Sequence, residues 1–262
     1  MSSVRAKKFL GQHFLKDDSI SERIANSLTG HGGYRHVIEV GPGTGALTKH
    51  LLVRGDIDLT CYEVDTDSIA YLAAHYPQLK VVQGDFLQMD PTRLTDAPPA
   101  SAAGRFAVVG NFPYNISTQI VFKVIEHRDR CTELVGMFQK EVADRLCAGP
   151  GSKTYGISSV IAQAWYTMEM LFIVEPGSFI PPPKVRSAVI RMKRNEVKAL
   201  SCDEALFFRV VKTAFNQRRK TLHNALKSLP EAHKGVPADY ASKRAEQLSV
   251  ADFIALTHAF SS

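Results

Sequence analysis

Four consecutive residues, Asn111-Phe112-Pro113-Tyr114, put an amide side chain, a backbone carbonyl biased by the following proline and an aromatic ring within one turn. Two of these groups accept hydrogen bonds and the third stacks. Together they can hold the exocyclic amine of a planar base. The same tetrapeptide also fits a plain strand-ending turn, where Asn and Pro are common. What separates the two readings lies upstream. The apolar run Phe106 to Val109 predicts a buried strand with the turn at its carboxyl end, and a helix follows Ser117 to about His127.

The elements that must position this turn begin at His36-Val37-Ile38-Glu39-Val40, a β-branched strand running into Gly41-Pro42-Gly43-Thr44-Gly45 and then a helix from Ala46 to about Arg54. Glycines let a ligand approach the backbone and a helix N-terminus offers unpaired N–H groups, so strand, loop and helix form a nucleotide-type site. The second strand, Leu59 to Val64, carries Glu63, whose carboxylate can accept from both hydroxyls of a ribose. A helix over Asp67 to His75 and a third strand, Lys80 to Gln83, lead to Asp85, placed to accept from an adenine amino group with Phe86 beside it. This βαβαβ order predicts an α/β, Rossmann-like, doubly wound and mostly parallel sheet with its crevice at the carboxyl edge. Gly41-x-Gly43-x-x-Ala46 also fits the dinucleotide fingerprint. Glu39 before the loop, Pro42 inside it, Asp85 after the third strand and Asn-Phe-Pro-Tyr after the fourth favour S-adenosylmethionine over a nicotinamide.

The rest of the chain supplies flanking parts. Arg5, Lys7 and Lys8 predict a flexible basic arm, and Phe9, Phe14 and Leu15 a segment that docks onto the domain. Asp17-Asp18-Ser19 offers caps for a helix from Ile20 to Leu28. Residues 91–104 read as a surface loop, Glu133 to Gln139 as a strand, Lys140 to Leu146 and Gly156 to Trp165 as helices. The loop between those helices, with Lys153 and Tyr155, either reaches over the substrate or is an ordinary connection. Trp165, Met168 and Met170 read as core. Met170 to Val174 and Ser187 to Met192 are strands, and the prolines at 181–183 stiffen the loop that presents Phe179. After a charged linker, 194–198, the remainder is helical, with Arg218, Arg219 and Lys220 expected inside a helix and suited to a phosphate backbone.

Composition agrees. From Pro181 onward there are 15 Lys+Arg against 7 Asp+Glu, and 17 against 19 before it, out of a net +6. A basic C-terminal third on a near-neutral body points to a polyanionic partner. The four cysteines are scattered without C-x-x-C pairs, which argues for reduced thiols in a cytoplasmic protein and against a zinc site. Neither an apolar stretch of membrane length nor a secretory signal is apparent.

Gly11-Gln12-His13-Phe14-Leu15, Glu39 to Gly45, Glu63-Val64-Asp65, Gly84-Asp85, Asn111 to Ser117, Phe179 to Val189 and Phe215 to Leu222 occur in an order and spacing that resemble the rRNA adenine N6,N6-dimethyltransferases, specifically their bacterial small-subunit branch. The resemblance implies a methyltransferase domain over residues 1–194, with residues 1–16 as arm and donor-site segment, and a small all-helical RNA-binding domain over 195–262. It implies methyl transfer from S-adenosylmethionine to two adjacent adenosines near the 3′ end of 16S rRNA, in the small ribosomal subunit or its precursor, by a monomeric, metal-free enzyme. It further implies donor contacts from His13, Leu15, Gly41, Glu63, Asp85 and Asn111. Asn111 and the Phe112 carbonyl would hold the amine, Pro113 would orient that carbonyl, and Tyr114 and Phe179 would stack on the base. Arg218, Arg219 and Lys220 would meet RNA. Some members have Asn where this chain has His13; an imidazole still donates one hydrogen bond there. Large-subunit rRNA methylases share Asn-x-Pro-Tyr, but the Phe-Asn-Gln-Arg-Arg-Lys segment and the Pro-Pro-Pro loop favour the small-subunit enzyme. An assembly checkpoint that works by binding is compatible with this activity.

Overall fold

A computed structural model of the protein describes residues 4–94, 97–98 and 101–261. Part of the loop expected over 91–104 therefore lies outside the described residues. The chain divides into two compact units, one of residues 1–143 and 167–194, the other of 144–166 and 195–262. Residues 144–166 thus join the helical unit, although they fall inside the span read as the methyltransferase domain. Among the described residues no helix is long and apolar enough to cross a membrane.

The first unit is built in chain order from β1 (Phe14–Leu15), α1 (Asp18–Asn26), β2 (His36–Val40), α2 (Thr48–Leu52), β3 (Asp58–Glu63), α3 (Thr66–His75), β4 (Lys80–Gln83), β5 (Phe106–Asn111), α4 (Ser117–Glu126) and β6 (Cys131–Gln139). Then come α5 (Lys140–Cys147), α6 (Ile157–Trp165), β7 (Tyr166–Val174), β8 (Phe179–Ile180) and β9 (Ser187–Arg194), of which α5 and β7 cross between units and α6 belongs to the second. The main sheet runs β4-β3-β2-β5-β6-β9-β7. Strands β4 through β6 are parallel and β9 is antiparallel to β6. The apolar runs of β2, β5 and β6 are buried along nearly their whole length, as central strands covered on both faces must be. Because β2 has β3 on one side and β5 on the other, its crossovers leave in opposite directions, and a crevice opens between the carboxyl ends of β2 and β5.

Two local expectations change. The helix expected from Ala46 is regular only over Thr48–Leu52, because Gly43 and Gly45 hold positive φ and keep the preceding chain in tight turns. The strand expected from Met170 begins at Tyr166.

The second unit packs α6 with α7 (Glu204–Asn216), α8 (Leu222–Ala225), α9 (Ala238–Ala241) and α10 (Val250–Ser261). Trp165 is fully buried there, stacked on Phe208 and edge-on to Phe207, so its reading as core holds. Tyr155 is also fully buried, edge-on to Phe215, and is therefore not a substrate contact. The 148–153 loop is pinned within this unit: Gly151 N–H donates to the Glu246 carbonyl and Gln163 Nε2 to that of Ala148.

Candidate active site

The carboxyl ends of β2 and β5 border a cavity of about 340 Å³, a usual size for a small-ligand site. Gly41, Glu63, Asp85, Asn111, His13 and Leu15, the six residues expected to meet the donor, all line it. Five different elements converge there, so the site exists only once the sheet has formed.

The glycine loop and Glu63 make the floor. Gly43 holds a φ of +56°, and a Cβ there would lie 2.8 Å from the Phe14 ring, so only glycine fits. Its N–H donates to Glu63 Oε2 at 3.1 Å, while Glu63 Oε1 accepts from the N–H groups of Val64 and Asp65, both at 2.9 Å. Burial pushes the Glu63 carboxyl up, against those three backbone donors. An ionised carboxylate has about four acceptor positions, so with three taken about one remains for a ligand hydroxyl. Behind it, Glu39 accepts from Thr48 Oγ1 at 2.7 Å and from the Cys61 thiol. Burial pushes Glu39 up to about 7, the Thr48 and Cys61 contacts pull it down, and nearby Glu63 adds to the rise. Asp85 is exposed; its Oδ1 accepts from Leu87 N–H, capping the turn that follows β4.

The turn after β5 is held from beneath. Gly110 of β5 and Gly136 of β6 are paired across the sheet, and the Phe112 ring fills the niche their missing side chains leave. It is fully buried and lies edge-on to Phe138. The anchored ring fixes the backbone whose carbonyl was expected to hold the amine. The two glycines were not singled out from the sequence; a small residue facing another across adjacent strands becomes visible only with the register. Asn111 Nδ2 donates to the His13 carbonyl at 2.9 Å. A carbonyl can only accept, so this contact fixes the amide orientation and leaves Oδ1 as the acceptor. Tyr114 is hydrogen-bonded to Ser187 through its hydroxyl, and its ring stacks on His13. Burial raises the Tyr114 pKa.

The N-terminal segment is a strap rather than a loose arm. The Lys7 ammonium pairs with Asp65 and, at 2.7 Å, with Asp67, and Gln12 Nε2 donates to Asp65. Burial works against ionisation of Asp65, but Lys7 and Gln12 hold its carboxyl below the usual range. His13 Nδ1 donates to the Pro181 carbonyl at 2.8 Å. A second cavity, of about 430 Å³, shares Gly11, Gln12, His13 and Tyr114 with the first and is otherwise bounded by Ala6, Gln139 and the 181–185 loop.

Phe179 is corrected. It is 1 % exposed, sits in the core with Leu15 and does not line either cavity, so it cannot stack on a base. The reason is strand alternation. In the antiparallel β1–β8 ladder Leu15 pairs with Phe179 and Phe14 with Ile180; the first pair faces the core and the second faces away.

The basic cluster is corrected as well. Helix α7 ends at Asn216, and Arg218, Arg219 and Lys220 lie in the turn before α8. The helix closes at Gln217, which leaves helical geometry with φ −114° and ψ 36°, and cations are favoured just past such a C-terminus, where the carbonyl dipoles point. Arg218 is half-buried, donates to the Ser152 carbonyl and faces Glu246 at 3.6 Å, a structural set of contacts. Arg219 and Lys220 are exposed.

A mostly parallel sheet, a glycine loop, an acid closing β3 and an Asn-x-Pro-Tyr turn closing β5, all around one cavity, define a Rossmann-like methyltransferase. The family model for ribosomal RNA adenine dimethylase matches residues 3–260, and the chain belongs to that family. Curated proteins named ribosomal RNA small subunit methyltransferase A are 52 % identical in Cytophaga hutchinsonii, over 100 % of this chain and 99 % of that one, and 52 % identical in Flavobacterium johnsoniae, over 98 % and 96 %. A crystal structure of a dimethyladenosine transferase from Plasmodium falciparum aligns with a TM-score of 0.76 at 26 % identity, over 95 % of this chain and 98 % of that one. The 23S rRNA methyltransferase ErmE aligns with a TM-score of 0.67 at 25 % identity, over 95 % and 100 %.

Proposed function

We propose that this enzyme transfers methyl groups from S-adenosylmethionine to N6 of two adjacent adenosines near the 3′ end of 16S rRNA, in the small subunit or its precursor, and so works in the cytoplasm. The observation that carries the reading is the oriented Asn111 amide, whose Oδ1 is left as an acceptor at the end of β5, where Asn111 and Phe112 both line the cavity. Naming of the relatives as small-subunit enzymes supports the choice of RNA.

The residues fit the donor. Glu63 keeps about one acceptor position for a ribose hydroxyl, Asp85 offers a carboxylate to an adenine amino group, and Gly41 lines the same cavity with no side chain of its own. When bound, the donor supplies a methyl carbon on a cationic sulfur, which takes the nitrogen lone pair as sulfur keeps the electrons of the broken bond. Everything else is positioning. The N6 lone pair is delocalised into the ring and is a poor nucleophile. Two hydrogen bonds, from the N6 hydrogens to Asn111 Oδ1 and the Phe112 carbonyl, favour a tetrahedral nitrogen and aim its lone pair. Tyr114, bordering both cavities, stacks on the flipped base as it enters through the second. After one transfer a single N–H remains, so the second transfer proceeds with only one of the two acceptors engaged. Arg219 and Lys220 meet phosphates through the helical unit.

The test is Asn111→Ala on small subunits from an unmethylated strain, read by primer extension across both rRNAs. Turnover is expected to fall at least about 100-fold with donor binding retained by calorimetry. Near-normal turnover overturns the assignment, and modification confined to the large-subunit RNA overturns the choice of substrate.

A further inference from the structure

Eight large apolar side chains are notably exposed among the described residues, and three of them, Phe9 at 78 %, Ile180 at 58 % and Val185 at 46 %, belong to the two segments that bound the second cavity. Single exposed hydrophobics are ordinary, but their concentration around one opening is not. Val185 lines the cavity itself, and Ile180 immediately precedes its lining residue Pro181. Phe9 sits on a short 3-10 turn, Lys8–Leu10, between Ala6 and Gly11, which both line the cavity.

This turn is held on both sides. Before it, Lys7 is paired with Asp65 and Asp67; after it, Gln12 reaches Asp65 and accepts from Lys7 N–H at 2.8 Å. The backbone closes the same loop, with Leu10 N–H donating to the Lys7 carbonyl. An aromatic ring is thereby displayed to solvent on an ordered turn, so little further order is lost when something covers it. The other bounding segment is cationic: Lys184 lines the cavity, and Arg186, two residues on, is exposed. Aromatic and apolar groups interleaved with cations around a cleft suit single-stranded RNA, whose bases stack and whose phosphates are anionic. An acidic protein would match the cations but supplies no base to stack on Phe9, and a membrane would need a larger continuous apolar face.

We propose that the rim of the second cavity is a further RNA-binding surface, in which Phe9 stacks on the unpaired nucleotide next to the methylated adenosine and Lys184 meets its phosphate. The proposal rests on the function stated above and adds a contact outside the Asn-Phe-Pro-Tyr turn and the basic turn after α7. Stacking by Phe9 on the neighbour holds open the gap left by the flipped base, a positioning role for the strap distinct from its place in the donor cavity.

The experiment compares wild type, Phe9→Ala, Phe9→Leu and Phe9→Trp on unmethylated small subunits, with donor affinity measured separately by calorimetry. Phe9→Ala is expected to raise KM for the particle roughly tenfold or more with donor Kd unchanged. Phe9→Leu, apolar but without a π-face, behaves like Ala, and Phe9→Trp restores binding. An unchanged KM in Phe9→Ala overturns the proposal. Equal loss of donor affinity also overturns it, because Phe9 would then serve the strap alone. Full rescue by Leu overturns stacking. Should wild type itself fail to methylate the particle, the underlying functional reading falls instead, which the wild-type arm reports independently.

Discussion

Substituting Gly136 by alanine tests whether the reactive turn is aligned by the ring beneath it. An added Cβ would lie 2.7 Å from Phe112 Cδ2 and 2.8 Å from Cζ, with Cε2 nearer still, against the 3.5–4.0 Å of an ordinary carbon contact. The ring has little room to move away: it lies over Gly110, where even a Cβ would come within 2.8 Å of its Cε1, and Phe138 packs against it at 5.2 Å between centroids. Overpacking of this kind costs about 1–3 kcal/mol, readable as a fall in the denaturation midpoint. The kinetic effect should exceed the stability effect. Tilting Phe112 drags its own carbonyl and the adjoining Asn111, and a misplacement of about 1 Å at a positioning site costs roughly 100-fold in rate. Donor affinity should hold, because Glu63 and the glycine loop are carried by β3 and the end of β2. The decisive measurement is the double variant. Phe112→Leu alone removes packing and destabilises, yet in the Gly136→Ala background it should recover part of the lost stability, giving a coupling of about 0.5–3 kcal/mol. Purely additive losses, or a Gly136→Ala enzyme with normal midpoint and kcat, would refute the niche as the alignment device.

Two further outcomes follow from charge. Glu39 is pushed up to about 7 from an ordinary 4.5, so the folded protein holds this proton over a range where the unfolded chain has lost it. Its contribution to stability is fully present below about pH 4.5 and lost as pH rises through about 7, so Glu39→Gln should be more stable than wild type at pH 8 by up to about 3 kcal/mol but not at pH 4. Denaturant titrations across that range that run parallel for the two proteins would dismiss it. In the helical unit, replacing Arg219 and Lys220 with Ala should reduce the salt dependence of particle binding by nearly two counterion equivalents and leave the midpoint intact, whereas Arg218→Ala, which breaks the Ser152 and Glu246 contacts, should lower the midpoint. The same salt slope in the double variant would make the exposed pair irrelevant to RNA.

Much of the sheet was legible because its signals are local. β-branched runs mark β2 and β5, Gly41-Pro42-Gly43 marks the first turn, and Glu63, Asp85 and Asn111 stand at strand ends by spacing alone. The misreadings share a cause in pairing between distant segments. Phe179 looks exposed beside three prolines, and only its register with Leu15 turns it inward. Tyr155, which the sequence alone leaves open between a substrate contact and an ordinary connection, is decided by the cover of Phe215. Arg218 reads as one of three equivalent cations, yet Ser152 and Glu246 claim it. Gly110 and Gly136 carry no motif at all; their meaning is a volume shared across two strands.

Burial of Phe179 also changes what must align the base. With stacking from that side removed, alignment falls to a ring of hydrogen bonds: Asn111 to the His13 carbonyl, His13 to the Pro181 carbonyl, and Tyr114 to Ser187. These join the strap, the turn after β5 and the 181–187 segment into one wall, in which His13 and Tyr114 border both cavities. The proposed reaction is suited to such a wall. An alkylated nitrogen conjugated to a purine ring is acidic enough to give its proton to water, so no side chain has to act as a strong base, and the barrier is set by approach and angle. Under that condition a single rigid wall seen from both sides is more effective than a separate binding site for each substrate, because any displacement of the donor side moves the amine acceptors with it.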